Sequence, residues 1–183
     1  MSWNNIPDDE KLHLWKNLRK DIKDLPLDAQ LDQVSKFFAN IPYGSRSLDY
    51  YTPADWPTPW EILFHGNLCK SSISLLVFYT FYLLHTENVL ELRLIDDGSD
   101  EYLLPVINNT FVLNYELGTI NKWQDIATEL QLIDDGEDEY LLPVINNTFV
   151  LNYELGSINK CQDIATEIQV LSTYTQKDIK AIK

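Results

Sequence analysis

Residues 94–131 (LIDDGSDEYLLPVINNTFVLNYELGTINKWQDIATELQ) recur almost unchanged as residues 132–169, with 34 of 38 positions identical. The four differences are Ser99 to Glu137, Thr119 to Ser157, Trp123 to Cys161 and Leu130 to Ile168. A repeat of this kind constrains the fold before any single element is read, because a domain that needs one such unit must place the second somewhere else. So close a match marks a recent tandem duplication. The stacked repeats of a solenoid normally drift and carry atypical ends, and two copies are too few to make one.

Within each unit the β-rich runs are residues 89–95 (or 128–133), 102–107 and 111–115, separated by Asp-Asp-Gly and by Asn108-Asn109-Thr110, both turn formers. One unit therefore reads as a three-stranded antiparallel meander. Pro105 and Pro143 each remove a ladder donor, so their strand is expected at an edge or with the proline turned away from its neighbour. A short helical stretch closes each unit, at residues 121–129 and 159–167.

The whole chain has 183 residues, 14 Lys and Arg against 28 Asp and Glu, and a formal charge of -14. The two units account for -6 and -7 of that charge, so acidity belongs to the repeat, above all to its turns DDGSDE and DDGEDE. Those turns lack the order of an EF-hand, with its glycine at the sixth place and glutamate at the twelfth, and read as solvated hairpin turns, with no metal expected. The acidic balance leaves no basic face to release counterions from a phosphate backbone, so nucleic acid is not an expected partner. The apolar run at residues 73–84 is twelve residues long, too short for a bilayer, and reads as a buried central helix. Two cysteines make no disulfide framework, and the opening residues lack the pattern of a secretory signal. The expectation is a soluble protein of a reducing compartment.

Ahead of the repeat the chain is helical. Pro7 followed by Asp8, Asp9 and Glu10 sets proline and acids in a first helical turn, and Leu12, Trp15, Leu18 and Ile22 follow at helical spacing. A second helix is expected over residues 27–40. Residues 41–59 form an irregular connection whose aromatics, Tyr43, Tyr50, Tyr51 and Trp56 among them, pin it to the core. Cys69 then heads the most apolar helix. A helix N-terminus offers free N–H groups and partial positive charge, which favour a thiolate, while a buried structural cysteine is the competing reading.

Trp56-x-Thr58-Pro59-x-Glu61-x-Leu63, followed by Gly66 and by Cys69 opening an apolar helix, resembles the nucleophile segment of the bacterial transglutaminase-like cysteine peptidases, members of the papain-like superfamily. LDQVSKFFANIPYG upstream is similar to the helix and Tyr-containing loop of that family. Downstream, YLLPVINNTFVLNY is similar to its two adjacent strands, which carry a histidine at the start of the first and an aspartate near the end of the second. The resemblance covers residues 27–120. The segments WPTPWEIL and FVLNYELG also resemble small proteins encoded by large tailed bacteriophages.

Carried over position by position, the resemblance makes Cys69 the nucleophile. Asn67-Leu68 stands where the family usually has Gly-Asp. The histidine position falls on Tyr102, or Tyr140 in the second unit, and the aspartate position on Asn114, or Asn152. Asparagine can orient an imidazole, but none is there to orient. Of His13, His65 and His85, only His65, four residues ahead of Cys69, is a candidate base. The loss of the histidine implies a catalytically degenerate protein, a structural or protein-interaction module of a phage particle or one directed at a host protein. The alternative is an active cysteine hydrolase or acyltransferase in which Cys69 works with a non-standard base such as His65.

The expected architecture is α+β, one domain over residues 1–183. N-terminal helices and a central buried helix pack on an antiparallel sheet extended by the duplicated meander, and the tail STYTQKDIKAIK is frayed or a short helix. Sheet edges left by that extension suit self-association, and the acidity favours a basic protein partner. No cofactor and no membrane are expected, and the bacterial host cytoplasm or the virion is the expected location.

Overall fold

The computed structural model describes residues 3–45, 48–65, 68–84, 87–96, 100–129, 132–134, 139–141, 144–145, 149–152, 157–160, 170–175 and 178, with side chains described for all of these but residues 4, 65 and 127–170. Four helices form one layer. α1 spans Asp8–Ile22, entered through Pro7 with three acids in its first turn. α2 spans Leu27–Ala39, entered through Pro26. Proline at each entry gives up an N–H that has no partner in a first turn, and the acids meet the positive end of the helix dipole. α3 spans Pro59–His65 and α4 spans Lys70–Leu83. Eleven of the α4 residues are buried, which is the mark of a helix surrounded by structure on every side.

The helices pack on a five-stranded antiparallel sheet in the order β10-β1-β2-β3-β4. Its strands are β1 (Leu90–Asp96), β2 (Glu101–Ile107), β3 (Phe111–Leu113), β4 (Ile120–Lys122) and β10 (Val170–Thr175). Alternation along the strands sends two sets of side chains to opposite faces. Leu92, Leu94, Leu103, Ile107 and Leu113 join the main core with Trp15, Phe38 and the α4 residues. Ile95, Leu104, Val106 and Val112 form a second cluster with Ile126 of α5 (Trp123–Glu129), flanked by Tyr102, Tyr115 and Trp123. The α+β class, with the central helix buried on an antiparallel sheet, is the expected one.

Several details differ from expectation for physical reasons. The first unit holds four strands: β3 stops at Leu113 because Asn114 takes φ +66, a left-handed conformation that breaks a ladder, and the chain returns as β4. Pro105 lies in an interior strand, yet β2 pairs with β3 only at Val106 and Ile107, so the proline stands where that ladder has ended. Residues 172–175 of the tail are strand, neither frayed nor helical, and apart from residue 178 the rest of the tail lies outside the described residues. Residues 170–175 are β10, which pairs with β1 from Glu91↔Thr175 to Ile95↔Val170 across a bulge, and Tyr174 packs on Trp56 with ring centroids 4.9 Å apart.

The second unit repeats the pairings of the first in the same register, 38 residues further along the chain. Leu132↔Leu141 matches Leu94↔Leu103, Val144↔Val150 matches Val106↔Val112, and Phe149↔Lys160 matches Phe111↔Lys122. These strands are β5 (Leu132–Asp134), β6 (Glu139–Leu141), β7 (Val144–Ile145), β8 (Phe149–Asn152) and β9 (Ser157–Lys160). Among the described residues they form a two-stranded sheet, β5-β6, and a three-stranded one, β7-β8-β9, and the strand that lengthens the main sheet is β10. The reason is occupancy: β10 holds the β1 edge, and the other edge is the three-residue β4, which passes straight into α5. The helical stretch expected at residues 159–167 begins within β9 and otherwise lies outside the described residues.

Candidate functional site

The site is built at the head of α4. Cys69 is the N-cap residue, held extended at φ -110 and ψ 166. Gly44 fixes it there, bridging to Cys69 and donating its N–H to the Leu68 carbonyl at 2.7 Å. The thiol is 1% exposed and acts in a capping box with Ser72. The Ser72 amide donates to Cys69 Sγ at 3.4 Å, the Cys69 amide donates to Ser72 Oγ at 2.8 Å, and the sulfur and hydroxyl lie 3.1 Å apart. Sulfur here fills the place that serine, threonine or aspartate usually takes at a helix start.

The end of β3 clamps the next turns of the helix. Asn114 donates through Nδ2 to the Lys70 carbonyl at 2.8 Å and to Ser74 Oγ at 2.7 Å, and its buried Oδ1 has no partner. Lys70 reaches back, its ammonium donating to the Tyr115 carbonyl at 2.6 Å and lying 4.7 Å from the centre of the Tyr102 ring. The rings of Tyr102 and Tyr115 meet edge to face with centroids 5.8 Å apart. A desolvated ammonium over an aromatic face is favourable, so Lys70, Tyr102 and Tyr115 form one packed group.

The aromatic connection closes the other side. The Tyr50 and Ser71 hydroxyls are 2.6 Å apart, Tyr50 also donates to the Glu101 carbonyl at 3.3 Å, and the Tyr174 hydroxyl donates to the Tyr50 carbonyl at 2.8 Å. Tyr51 donates to the Glu101 carboxylate. Between these walls lies a cavity of about 340 Å³ lined by Tyr43, Gly44, Tyr50, Lys70, Ser71 and residues 100–104. Its lining joins the Lys70 ammonium and tyrosine rings with Asp100 and Glu101.

The structure thus brings Cys69, Asn114 and Tyr102 to one end of α4, Cys69 and Asn114 through α4 itself and Tyr102 through Lys70. Tyr102 sits with the cluster on the far face of the sheet, whereas its neighbour Leu103 enters the core beside α4. His65 is the last residue of α3, with its side chain outside the described residues, as is His85 altogether. His13 is exposed on α1. The positions Tyr140 and Asn152 fall in β6 and β8, where side chains are not described. Among the described residues no group of three His, Cys, Asp or Glu could hold a metal ion, and no helix is long and apolar enough to cross a membrane. Sequence reasoning missed Lys70 and Ser72. Ser72 had a local signal, three residues beyond the cap, but the partners of Lys70, Tyr102 and Tyr115, lie far along the chain, the latter 45 residues away, and leave none.

The chain thus sets a cysteine at the head of a buried helix that packs on an antiparallel sheet, an α+β arrangement. No family model matches the sequence, and no curated protein is similar to it. Among solved structures the fold is similar to that of Legionella pneumophila LapG, a bacterial transglutaminase-like cysteine peptidase. One LapG structure is 18% identical with a TM-score of 0.55, over 64% of this chain and 68% of LapG. The calcium-bound form is 16% identical with a TM-score of 0.54, over 89% and 83%, and the EGTA-treated form 16% identical with a TM-score of 0.56, over 85% and 83%. The chain therefore shares the fold of LapG.

Proposed function

We propose that this chain is a catalytically degenerate member of that fold, acting as a protein-interaction module in a phage particle or against a host protein. One observation carries the reading: the Cys69 thiol is buried inside a capping box with Ser72; Tyr102, which the sequence resemblance aligns with the family's histidine, packs against Lys70. Hydrolysis by a cysteine nucleophile needs a base that takes the thiol proton and later protonates the leaving group. A phenol, ordinarily titrating near 10, does neither at neutral pH. What remains is a cavity of about 340 Å³ between tyrosines, a lysine and two carboxylates. Such a surface suits recognition of a protein segment, and the charge of -14 favours a basic one.

The test is alkylation of Cys69 by iodoacetamide across pH in a Cys161→Ser background, where a single thiol reports. The expected result is slow labelling in the native protein and rapid labelling once urea unfolds it. Rapid native labelling that is already maximal at neutral pH would overturn the reading in favour of a surviving cysteine hydrolase, with His65→Ala the next variant to assay.

A further inference from the structure

Besides Tyr102 and Tyr115 at Lys70 and Leu94 in the core, several residues hold the first unit to the helices. Leu103, Ile107 and Leu113 enter the core beside α4, and Asn114 bonds to Lys70 and Ser74. Gly118 meets Ala39 of α2, and the Thr119 carbonyl accepts a hydrogen bond from Ser35. All but the last recur unchanged in the second unit as Leu141, Ile145, Leu151, Asn152 and Gly156. The last recurs as Ser157, and its contribution is a backbone carbonyl that the substitution leaves in place. The other three differences lie elsewhere: at the acidic turn, at Trp123 on the far face, and beyond α5.

The backbone repeats as well, since Ile133↔Tyr140, Ile145↔Phe149 and Phe149↔Lys160 are Ile95↔Tyr102, Ile107↔Phe111 and Phe111↔Lys122 moved by one unit. There is one α4 and there are two units with the same face for it. We propose that residues 132–169 exchange with residues 94–131 for the same place on α4, so that the chain carries two interchangeable copies of its sheet. This inference is independent of the reading of Cys69.

Chain connectivity permits the exchange. Moving the second unit in and the first out lengthens the link between α4 and the sheet by 38 residues and shortens the link to β10 by the same number. The cost of closing a flexible loop rises only with the logarithm of its length, so the longer link does not forbid the second arrangement. The segment leading into each unit sets the preference. Leu90-Glu91-Leu92-Arg93 precedes the first unit and Thr128-Glu129-Leu130-Gln131 the second. The former supplies the buried Leu90 and the Arg93 guanidinium, which lies 4.3 Å from the centre of the Trp123 ring.

The test places one buried charge in each unit. Leu103→Asp should leave the full chain folded and monomeric with a cooperative urea transition, because the second unit takes over, and Leu141→Asp should do the same because the first stays. The double variant should lose the transition. Thr128→Leu with Gln131→Arg and Cys161→Trp, which rebuilds the better lead-in and its ring partner in the second unit, should raise the midpoint of the Leu103→Asp protein. If Leu103→Asp fails to fold both with and without that lead-in, the exchange does not occur. If it folds only as a dimer by size-exclusion chromatography, the copy comes from a neighbouring chain and the intrachain exchange is overturned.

Discussion

Asn114 donates through Nδ2 to the Ser74 hydroxyl at 2.7 Å, which ties the turn after β3 to the second turn of α4. The same amide group reaches the Lys70 carbonyl, and Lys70 reaches the Tyr115 carbonyl in return. Three hydrogen bonds across this seam join sheet to helix at the head of α4, where Cys69 is held.

Asn114→Asp should therefore destabilise more than Asn114→Ala. Alanine loses both hydrogen bonds and meets the cost of a left-handed φ of +66, together about 2–3 kcal/mol. Aspartate keeps the shape but turns a carboxylate toward the Lys70 carbonyl, in a residue only 4% exposed. Burial raises a carboxyl pKa in the folded state, so the variant's stability is greatest at low pH and falls as pH rises through that value. Urea titrations at pH 4 and pH 7 should show the aspartate deficit growing toward pH 7 and the alanine deficit unchanged.

Gly118 has φ +83, and a Cβ there would stand 3.0 Å from the Ala39 Cβ at the end of α2. Gly118→Ala combines backbone strain with crowding and should cost about 1–3 kcal/mol in thermal unfolding. Adding Ala39→Gly removes the crowding and leaves the strain, so the double variant should recover part of the loss. Full recovery would show that the backbone conformation carries no cost.

Tyr79 is buried on α4 with an unpartnered hydroxyl, and burial, with a smaller push from the Glu61 carboxylate, raises its pKa to about 12. A folded pKa above the unfolded value near 10 means that the unfolded chain releases this proton first. Stability is then complete below about pH 10 and is lost between about 10 and 12. Tyr79→Phe removes both the lone hydroxyl and that titration. It should be neutral or stabilising by about 1 kcal/mol at pH 7 and should flatten the alkaline fall in urea midpoint. An unchanged alkaline profile would assign the fall to other groups.

The elements that could be read from the sequence are those whose causes are local. Pro7 with its acids starts α1, the apolar run makes α4, and Asn108-Asn109-Thr110 turns β2 into β3. β4 and β10 are invisible by the same standard. Ile120-Asn121-Lys122 has no alternation of its own and becomes a strand by pairing with β3. The tail is polar, and its strand is drawn out by the open edge of β1 and by Tyr174 on Trp56. The same split divides the site. Cys69 was legible at the head of an apolar helix, whereas the use of its thiol as a cap and the clamp of Lys70 between Tyr102 and Tyr115 depend on contacts that spacing does not reveal. Asn114 could be placed as the stand-in for an aspartate, but its left-handed backbone and its bonds to α4 belong to the tertiary fold.

Removal of residues 132–169 should leave the domain intact. The deletion joins Gln131 to Val170, recreating the Gln-Val junction that now follows the second unit. α5 begins at the end of β4 and lays Ile126 in the cluster of Ile95, Leu104, Val106 and Val112, so it already lies against the face of β1 to β3. Leu130 and Gln131 would then lead into β10, and the pairing of β10 with β1 needs nothing from the second unit. Among the described residues, the main core runs from Trp15 through α4 to Leu113. The shortened protein should unfold cooperatively with a urea midpoint close to that of the full chain and a lower m-value, because less surface is exposed on unfolding. A broad, non-cooperative transition would mean that the second unit completes the domain and is not a spare.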